Sequence, residues 1–234
     1  MKKEKVVVVF SGGLDSTTLL YWAKKHYQDV EALTFNYGSK HNEKEIHFAK
    51  EHCLALGVKH QIINLNLNEW GFTSSLLKDG EKIPEGHYAA ENMKSTVVPF
   101  RNGIMLSIAV GYAENIKADR VLLGSHSGDH DIYPDCRREF TLAISLAASL
   151  GTYNNVKIES PFNDMKKEDI VKEGKDLKVL YDRTWSCYEG GDRPCLKCGT
   201  CVERTEAFFL NEVKDPSLTN EEWEEAKSVL MEIL

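Results

Sequence analysis

The stretch Val6-Val7-Val8-Val9-Phe10-Ser11-Gly12-Gly13-Leu14-Asp15-Ser16-Thr17 decides how this chain folds. It joins a run of β-branched residues, typical of a buried strand, to a helical pattern through two glycines. Such a turn lets consecutive backbone N–H groups converge on an anion at the start of the helix. Hydroxyls add donors, and the Asp15 carboxylate suits a site where Mg2+ joins it to phosphate. The stretch therefore predicts a binding site for a pyrophosphate-sized group.

Other phosphate-binding loops fit this stretch less well. No lysine follows the glycines, so the spacing is not that of a Walker P-loop, and the G-x-G-x-x-G pattern of dinucleotide-binding folds is absent. The plainer alternative is an ordinary Gly-Gly turn in which Asp15 caps the helix. Its position after the first strand of an α/β pattern favours the binding site.

Apolar, β-branched runs alternate with longer helical patterns, which is typical of a parallel sheet covered by helices. We predict a doubly wound, mainly parallel α/β domain over residues 1–180 and a small, helical, zinc-binding C-terminal region over residues 181–234. The predicted strands are residues 5–10, 31–35, 61–65, 120–123 and 156–158, and the predicted helices are residues 14–26, 43–56, 102–115, 139–150, 166–177 and 220–234.

Ligands of such folds bind beyond the carboxyl ends of the strands, so the loops after Phe10, Phe35 and Leu123 are expected to converge on one crevice. Residues 71–97 lack clear periodicity and are interrupted by glycine and proline. We interpret them as a flexible segment, either a lid over the crevice or a plain insertion.

Composition limits the classes of function. The 234 residues are 42% hydrophobic, which is enough for one catalytic core, and the net charge of −7 argues against a large basic surface for nucleic acid. No apolar run approaches the roughly 18 residues of a membrane span, and the first residues do not resemble a signal peptide. We expect a cytoplasmic protein that acts on small molecules, with no nucleic-acid or membrane partner.

Four of the six cysteines cluster near the C-terminus with the spacing C-x7-C-x2-C-x2-C. In a reducing compartment this spacing favours a metal over disulfides. Four thiolates complete a tetrahedron and leave no open position, so we predict one structural zinc ion per chain. Disulfides, a redox dithiol and an iron–sulfur cluster are the alternatives. The predicted ligands are Cys187, Cys195, Cys198 and Cys201.

Residues 124–137, after the fourth strand, combine carboxylates, histidines, an aromatic ring and a cation. These groups suit a planar, guanine-like ring that carries a carboxylate, since they accept ring N–H bonds, stack and pair with an anion. The plainer reading is a set of turn and cap residues with a solvated arginine. Polar residues also occur after the second strand and before the 102–115 helix. The candidate substrate-binding residues are Lys40, Arg101, Asp129, Asp131, Tyr133, Asp135 and Arg137.

The sequence SGGLDS at residues 11–16 resembles the PP-loop of the N-type ATP pyrophosphatases, which split ATP into AMP and pyrophosphate to adenylate a substrate oxygen. This resemblance implies that ATP with Mg2+ is a co-substrate and that Asp15 is catalytic. The residues it assigns to ATP are Phe10, Ser11, Gly12, Gly13, Leu14, Asp15, Ser16 and Thr17.

Further runs narrow the resemblance: TFNYGSKH at 34–41, PFRNG at 99–103, IYPDCRREF at 132–140, WSCY at 185–188 and CLKCGTC at 195–201. With them, residues 5 to about 210 resemble the 7-cyano-7-deazaguanine synthase (QueC) family. The resemblance implies a homodimer that converts 7-carboxy-7-deazaguanine, ammonia and ATP to the nitrile 7-cyano-7-deazaguanine (preQ0), on the route to queuosine in tRNA. Arg101 is then a catalytic residue that orients the substrate carboxylate or the α-phosphate.

The chain departs from the family's usual pattern beside the site. Leu14 stands where the family often has Gln, Ser39-Lys40 where it has Gln-Arg, and Phe100 where it has Gly. The residues 127–131, Ser-Gly-Asp-His-Asp, replace its Glu-Thr-Asp.

The implied reaction needs two adenylations, because neither a carboxylate nor an amide oxygen leaves by itself. The first makes AMP the leaving group for ammonia, and the second activates the amide so that elimination gives the nitrile. His41, His126 and His130 are the candidate bases. Two other functions compete, a tRNA sulfur transferase and a nucleotide-binding regulatory module without catalysis. The acidic charge and the lack of an RNA-binding appendage favour the ligase.

Overall fold

A computed structural model describes residues 1–233, which form a five-stranded parallel sheet with helices on both faces. The strand order is β3-β2-β1-β4-β5, so the chain winds in one direction from the centre and then in the other. This confirms the predicted doubly wound fold. The strands are β1 (Lys2–Val9), β2 (Tyr27–Asn36), β3 (Lys59–Asn64), β4 (Arg120–Leu122) and β5 (Lys157–Glu159).

The described residues, 1–233, contain seven α-helices, and six of them agree with the predicted helices to within one residue at each end. Leu234, the last residue of the predicted 220–234 helix, lies outside the described residues. Within residues 1–233, no helix is both long and apolar enough to cross a membrane. The helices are α1 (Leu14–His26), α2 (Asn42–Leu56), α3 (Arg101–Asn115), α4 (Arg138–Gly151), α5 (Lys167–Asp176), α6 (Gly199–Leu210) and α7 (Asn220–Ile233).

The sheet divides the core into two layers, because side chains alternate across a strand. Val7 of β1 packs in one layer with Leu106 of α3. Val6 and Val8 pack in the other, which also contains Phe208 of α6 and Trp223 of α7. The C-terminal helices therefore share a core with the α/β region, and the division at residue 180 stays a prediction.

A buried ion pair fixes the chain segment that leads into the cysteine region. The Arg204 guanidinium donates to both carboxylate oxygens of Asp215, at 2.5 and 3.0 Å, and also to the Tyr181 carbonyl and the Thr184 hydroxyl. A buried charge is tolerated only when its partners satisfy it in this way. The next residue, Trp185, donates its backbone N–H to the Gly12 carbonyl at 3.2 Å and so meets the β1–α1 loop.

Residues 71–97 contain no α-helix or strand, but they are packed against the rest of the protein. Leu76 and Ile83 are buried in the main core. The Lys78 N–H donates to the Gly38 carbonyl at 3.0 Å, and the Gly86 N–H donates to Lys197 in the cysteine region at 3.0 Å. The irregular sequence pattern therefore reflects a segment without an α-helix or strand, and this segment is nevertheless packed against the rest of the protein.

Candidate active site

The β1–α1 loop has the shape of an anion site. Gly12 has a φ of 91°, and a Cβ there would collide with the backbone carbonyl of Glu45 on α2. The Ser11 and Ser16 hydroxyls lie 3.0 Å apart, and Ser11 also accepts the Gly13 N–H at 3.1 Å. No side chain caps the first N–H groups of α1, and this first turn lines a cavity. Uncapped N–H groups at a helix start attract a phosphate group.

Asp15 offers one oxygen to a cation that the protein does not itself provide. Its Oδ2 accepts a hydrogen bond from Lys167, whereas its Oδ1 is buried without a partner. The Thr17 hydroxyl, two residues along, is likewise buried and unpaired, but Thr17 does not line the cavity. Buried oxygens normally have partners, and hard oxygen ligands are those that Mg2+ prefers. Asp15, which lines the cavity, therefore fits the Mg2+ that accompanies ATP.

Lys167, at the start of α5, is a site residue that the motifs did not predict. Its ammonium lies 2.7 Å from Asp15, 3.1 Å from Glu203 and 3.1 Å from His126 Nε2. Burial opposes the charged form, but the Asp15 and Glu203 carboxylates outweigh it and raise the pKa of Lys167. The sequence did contain a signal for it, because α5 follows the carboxyl end of β5, and ligands of such folds bind beyond the carboxyl ends of the strands.

The opposite part of the same cavity is built from tyrosines and a carboxylate. The Tyr133 hydroxyl lies 3.0 Å from that of Tyr188. Tyr88 donates to Asp129 Oδ1 at 2.7 Å, and Asp129 also accepts the His126 N–H at 3.1 Å. Aromatic faces beside a fixed carboxylate suit a flat ring with N–H donors.

Arg101 connects this tyrosine cluster with the second polar loop. Its guanidinium lies 5.4 Å from the ring centroid of Tyr37 and 5.9 Å from that of Tyr133. It also donates to the Tyr37 hydroxyl at 3.1 Å. Stacking of this kind fixes the planar guanidinium, which then presents a cation to an anionic ligand.

Of the seven predicted substrate-binding residues, Arg101, Asp129 and Tyr133 line the cavity together with residues of the β1–α1 loop. The other four do not line it. The structure thus brings six of the eight predicted nucleotide residues and three of the substrate candidates to one cavity, and Gly12 and Thr17 do not line it.

Two of the remaining candidates have structural partners. Asp135 is buried, and its carboxylate accepts the N–H of Asn102 at 2.7 Å, which caps the start of α3. The Lys40 ammonium donates to the backbone carbonyls of Gly80 and Glu81, at 3.3 and 2.6 Å. Both side chains are thereby committed to contacts with the protein.

Asp131 and Arg137 are exposed to solvent. Arg137 donates through Nε to the His130 carbonyl at 3.0 Å. These placements match the plainer reading of the sequence, in which the loop also supplies turn residues and a solvated arginine.

Glu45 of α2 and His41, directly before α2, line the cavity beside the β1–α1 loop. Burial raises the pKa of Glu45 to about 8, although the Arg101 charge and the Ser11 hydroxyl oppose it. Burial and the Arg101 charge lower the pKa of His41 to about 4. The sequence could have indicated that Glu45 is buried, because at helical spacing it shares a face of α2 with the buried residues Ala49 and His52.

The four clustered cysteines form a closed metal site. Their sulfur atoms all lie within 4.8 Å of one another, close to the separation of about 3.8 Å in a tetrahedron with Zn–S bonds of about 2.3 Å. The Cys195 and Cys198 N–H groups donate to the sulfurs of Cys187 and Cys195, each at 3.3 Å. All six cysteines are free thiols, so no disulfide competes for them. The donor set fits one zinc ion.

The motif order and this geometry agree with a comparison against known families. A family model described as "Queuosine biosynthesis protein QueC" matches residues 5–212. The chain belongs to the QueC family. The resemblance drawn from the sequence motifs is thereby confirmed, and it covers both the nucleotide loop and the cysteine cluster of the QueC-type chain.

Curated relatives of the QueC family match nearly the whole chain. The 7-cyano-7-deazaguanine synthase of Desulfotalea psychrophila is 53% identical over 86% of this chain and 92% of the relative. That of Archaeoglobus fulgidus is 47% identical over 98% of this chain and 96% of the relative.

Solved structures with the same fold are much less similar in sequence. The U34-tRNA thiolase NcsA from Methanococcus maripaludis, solved with its [4Fe-4S] cluster, is 16% identical with a TM-score of 0.50, over 100% of this chain and 72% of that one. NMN synthetase from Francisella tularensis is 14% identical with a TM-score of 0.50, over 98% and 85%. These likenesses support the fold that the QueC-family chain adopts and no more.

Proposed function

We propose that this protein converts 7-carboxy-7-deazaguanine and ammonia to 7-cyano-7-deazaguanine in two ATP-dependent steps. One observation carries the proposal: the uncapped loop at the start of α1 and the pair Asp129 and Tyr133 line a single cavity, together with Arg101. A nucleotide and a flat, anionic ring can therefore meet there. The names of the curated relatives support this product.

The nucleotide part of the cavity suits the pyrophosphate end of ATP. The free N–H groups of α1 and the hydroxyls of Ser11 and Ser16 donate to phosphate oxygens, and Lys167 adds a charge that the loop itself lacks. Mg2+ held by Asp15, when bound, neutralises negative charge on the phosphates. These fixed donors stabilise the pyrophosphate as its charge grows in the transition state.

The substrate part orients the reacting oxygen. Arg101 pairs with the ring's carboxylate, and Asp129 accepts hydrogen bonds from ring N–H and amino groups. A carboxylate oxygen then attacks the α-phosphorus, and pyrophosphate leaves. Ammonia attacks the carbonyl carbon and displaces AMP to give the amide. A second adenylation, on the amide oxygen, allows loss of AMP and protons to give the nitrile.

The four cysteines would hold a structural zinc ion. Because all four ligands come from the protein, no coordination position is left for a substrate. The metal's contribution is to fold the segment between Trp185 and α6 against the cavity.

The quaternary state and location are also proposals. Leu142, Leu146 and Leu150 form a stripe along α4 and are 61, 60 and 79% exposed. An apolar stripe of this kind supports a homodimer through α4. Free thiols at the metal site support a reducing cytoplasm, and the net charge of −7 supports small-molecule rather than nucleic-acid partners.

The test is incubation of the purified protein with 7-carboxy-7-deazaguanine, ammonium and Mg-ATP. We expect nitrile by mass spectrometry, with AMP and pyrophosphate by chromatography. Omission of ammonium is the control, and it should stop nitrile formation. If ATP were cleaved only when tRNA and a sulfur donor were supplied, the sulfur-transferase function would replace this one.

A further inference from the structure

The Arg101 guanidinium faces the cavity with one hydrogen bond to hold it. It donates to the Tyr37 hydroxyl at 3.1 Å, and within residues 1–233 it makes no other hydrogen bond. The ring centroids of Tyr37 and Tyr133 lie 5.4 and 5.9 Å from it, but a ring face attracts a cation without setting its rotation. A hydrogen bond is directional. The direction in which Arg101 presents its N–H groups therefore depends on the Tyr37 hydroxyl.

The Tyr37 hydroxyl needs an acceptor for its own proton. A guanidinium has only donors, so the hydroxyl oxygen accepts from Arg101 and its proton must point elsewhere. His41 Nε2 lies 3.4 Å from the hydroxyl oxygen. The Ser39 hydroxyl is buried as well, but it makes no hydrogen bond in the part of the chain that the structure describes. His41 is therefore the acceptor of the Tyr37 proton.

A backbone carbonyl leaves His41 Nε2 free to accept. The other ring nitrogen, Nδ1, lies 3.3 Å from the Tyr188 carbonyl oxygen, and because a carbonyl can only accept, Nδ1 carries a proton. Burial and the Arg101 charge lower the pKa of His41 to about 4, so the ring is neutral at physiological pH and Nε2 keeps its lone pair. Glu45 Oε2 lies 3.7 Å from Nε2, which is too far for a competing hydrogen bond.

These contacts form one chain of hydrogen bonds from Arg101 through Tyr37 and His41 to the Tyr188 carbonyl. Each bond in the chain has one possible direction, because the guanidinium at one end cannot accept and the carbonyl at the other end cannot donate. The chain therefore sets the direction of the Tyr37 hydroxyl from the far side of His41.

The far end of this chain is held by close packing. A Cβ on Gly190 would collide with the Lys40 carbonyl, so the segment that contains Tyr188 lies directly against the backbone beside His41. The rings of His41 and Tyr188 are 5.5 Å apart. The imidazole therefore has little room to rotate away from Tyr37.

The orientation of Arg101 matters for the first step of the proposed reaction. A guanidinium pairs with a carboxylate through two parallel N–H···O bonds, which requires a definite direction of its N–H groups. One oxygen of that carboxylate must also point at the α-phosphorus, and a small misplacement of reacting atoms slows a reaction strongly.

We propose that His41 is a positioning residue for the acid substrate: it holds the Tyr37 hydroxyl so that Arg101 presents its N–H groups to the carboxylate. This inference rests on the proposed function and adds a residue that acts on the substrate through two others. His41 was among the candidate bases expected from the sequence. Both of its ring nitrogens are committed to Tyr37 and Tyr188, so it positions Arg101 instead of removing a proton.

The experiment measures two substrates separately in His41→Leu, in Tyr37→Phe and in the double variant. The substrates are 7-carboxy-7-deazaguanine and its amide, the intermediate of the proposed reaction. With the acid, each single variant should lower kcat/KM by roughly 10-fold, as expected for loss of a buried hydrogen bond. The double variant should lose no more than either single variant, because both substitutions break the same chain. The KM for ATP should stay close to wild type.

The amide distinguishes a role in positioning Arg101 from general damage to the cavity. A neutral amide makes a weaker hydrogen bond to a guanidinium than a carboxylate does, so its loss of kcat/KM should be clearly smaller. His41→Gln keeps an oxygen that can accept from Tyr37 and should recover part of the acid reaction. Tyr37→Phe, which removes a single oxygen, carries the same comparison of acid and amide if His41→Leu does not fold.

A second tyrosine–histidine pair provides the matched control. The Tyr21 hydroxyl lies 3.3 Å from His52 Nδ1, and His52 Nε2 lies 2.9 Å from the Arg183 carbonyl oxygen. Tyr21 and His52 are outside the set of residues that line the cavity. Tyr21→Phe and His52→Leu remove the same groups, and both should leave kcat/KM for acid and amide close to wild type.

Losses that multiply in the double variant, or equal losses with acid and amide, would overturn the assignment of His41 and leave the proposed function standing. If the wild type converted neither substrate, the proposed function itself would fail, and this inference with it.

Discussion

The Lys167 ammonium lies 2.7 Å from the Asp15 carboxylate, although 152 residues separate the two in the chain. The phosphate-binding loop therefore receives its cation from the start of α5 rather than from its own sequence. Asp15 keeps its second oxygen free for a metal. One oxygen of Asp15 therefore pairs with the Lys167 ammonium, and the other is available to the cation that accompanies ATP.

Replacement of Lys167 by Gln should reduce pyrophosphate release by roughly 100-fold or more, as expected for loss of a preorganised charge at a transition state. The variant should also melt at a lower temperature, because Asp15 and Glu203 lose their shared buried partner. Lys166→Gln is the control, since Lys166 is exposed. Normal pyrophosphate release in Lys167→Gln would limit Lys167 to a structural role.

Asp129→Asn should weaken recognition of the deazaguanine ring while ATP binding is unchanged. The loss of a charged acceptor corresponds to about 1.5–3 kcal/mol, or roughly 10- to 100-fold in kcat/KM for the ring substrate. Asp131→Asn, two residues away and exposed, should behave as wild type. Steady-state kinetics with each substrate varied in turn makes the measurement. Equal effects in the two variants would contradict the placement of the ring beside Asp129.

Gly12→Ala should destabilise the protein and impair ATP binding together. An alanine would have to hold a φ of 91° and place its Cβ against the backbone of α2. Strain of this kind costs about 1–3 kcal/mol before any movement of the loop. Gly111→Ala is the control, because Gly111 lies inside α3 with open space around it, and alanine there should stabilise by up to about 1 kcal/mol. Thermal melting with and without ATP distinguishes the two.

Cys198→Ser should lower the zinc content below one ion per chain and reduce the melting temperature, because metal binding contributes directly to folding. Cys53→Ser is the control for loss of a buried thiol, since Cys53 is outside the cluster. It should keep a full equivalent of zinc. Metal analysis by mass spectrometry decides the point, and iron in place of zinc would support the iron–sulfur alternative.

The stability difference between Glu45→Gln and the wild type should depend on pH. In the unfolded chain a glutamate has a pKa of about 4.3, whereas burial raises the pKa of Glu45 in the folded protein to about 8. Between these values the folded state holds a proton that the unfolded state loses, so wild-type stability falls as pH rises. Gln carries no such proton. Its advantage should therefore grow to a few kcal/mol by pH 8 and then level off.

Melting curves of both proteins from about pH 5 to pH 9 test this. A difference that stayed constant with pH would show that the Glu45 pKa is not raised.

The sequence predicted the helices closely because their apolar faces repeat at helical spacing and their ends carry clear signals. Strand ends were less accurate: β2 begins at Tyr27, four residues before its predicted start, since Gln28 and Asp29 near its start are polar and exposed. The nucleotide loop was predictable because glycines, hydroxyls and a carboxylate occur together after a strand.

The rest of the site could not be predicted because it is assembled by tertiary contacts. Tyr88 comes from the irregular 71–97 segment, and only the position of α5 after the carboxyl end of β5 pointed to Lys167. The Asp135 motif residue was recognised, but its carboxylate caps α3 instead of facing the cavity. The residue types in a segment indicate what it can bind, whereas the burial and direction of each side chain decide which of its residues bind.

The hydrogen bond from Gly86 to Lys197 places the residue two positions before Tyr88 on the cysteine region, where Glu85 and Cys198 also pair. The tyrosine that holds Asp129 is thus anchored to a loop whose shape depends on a metal. Without zinc, the protein should therefore form this ring pocket poorly. Such a protein would consume its organic substrate slowly at low concentrations, so the metal site would link the rate of this reaction to the supply of zinc.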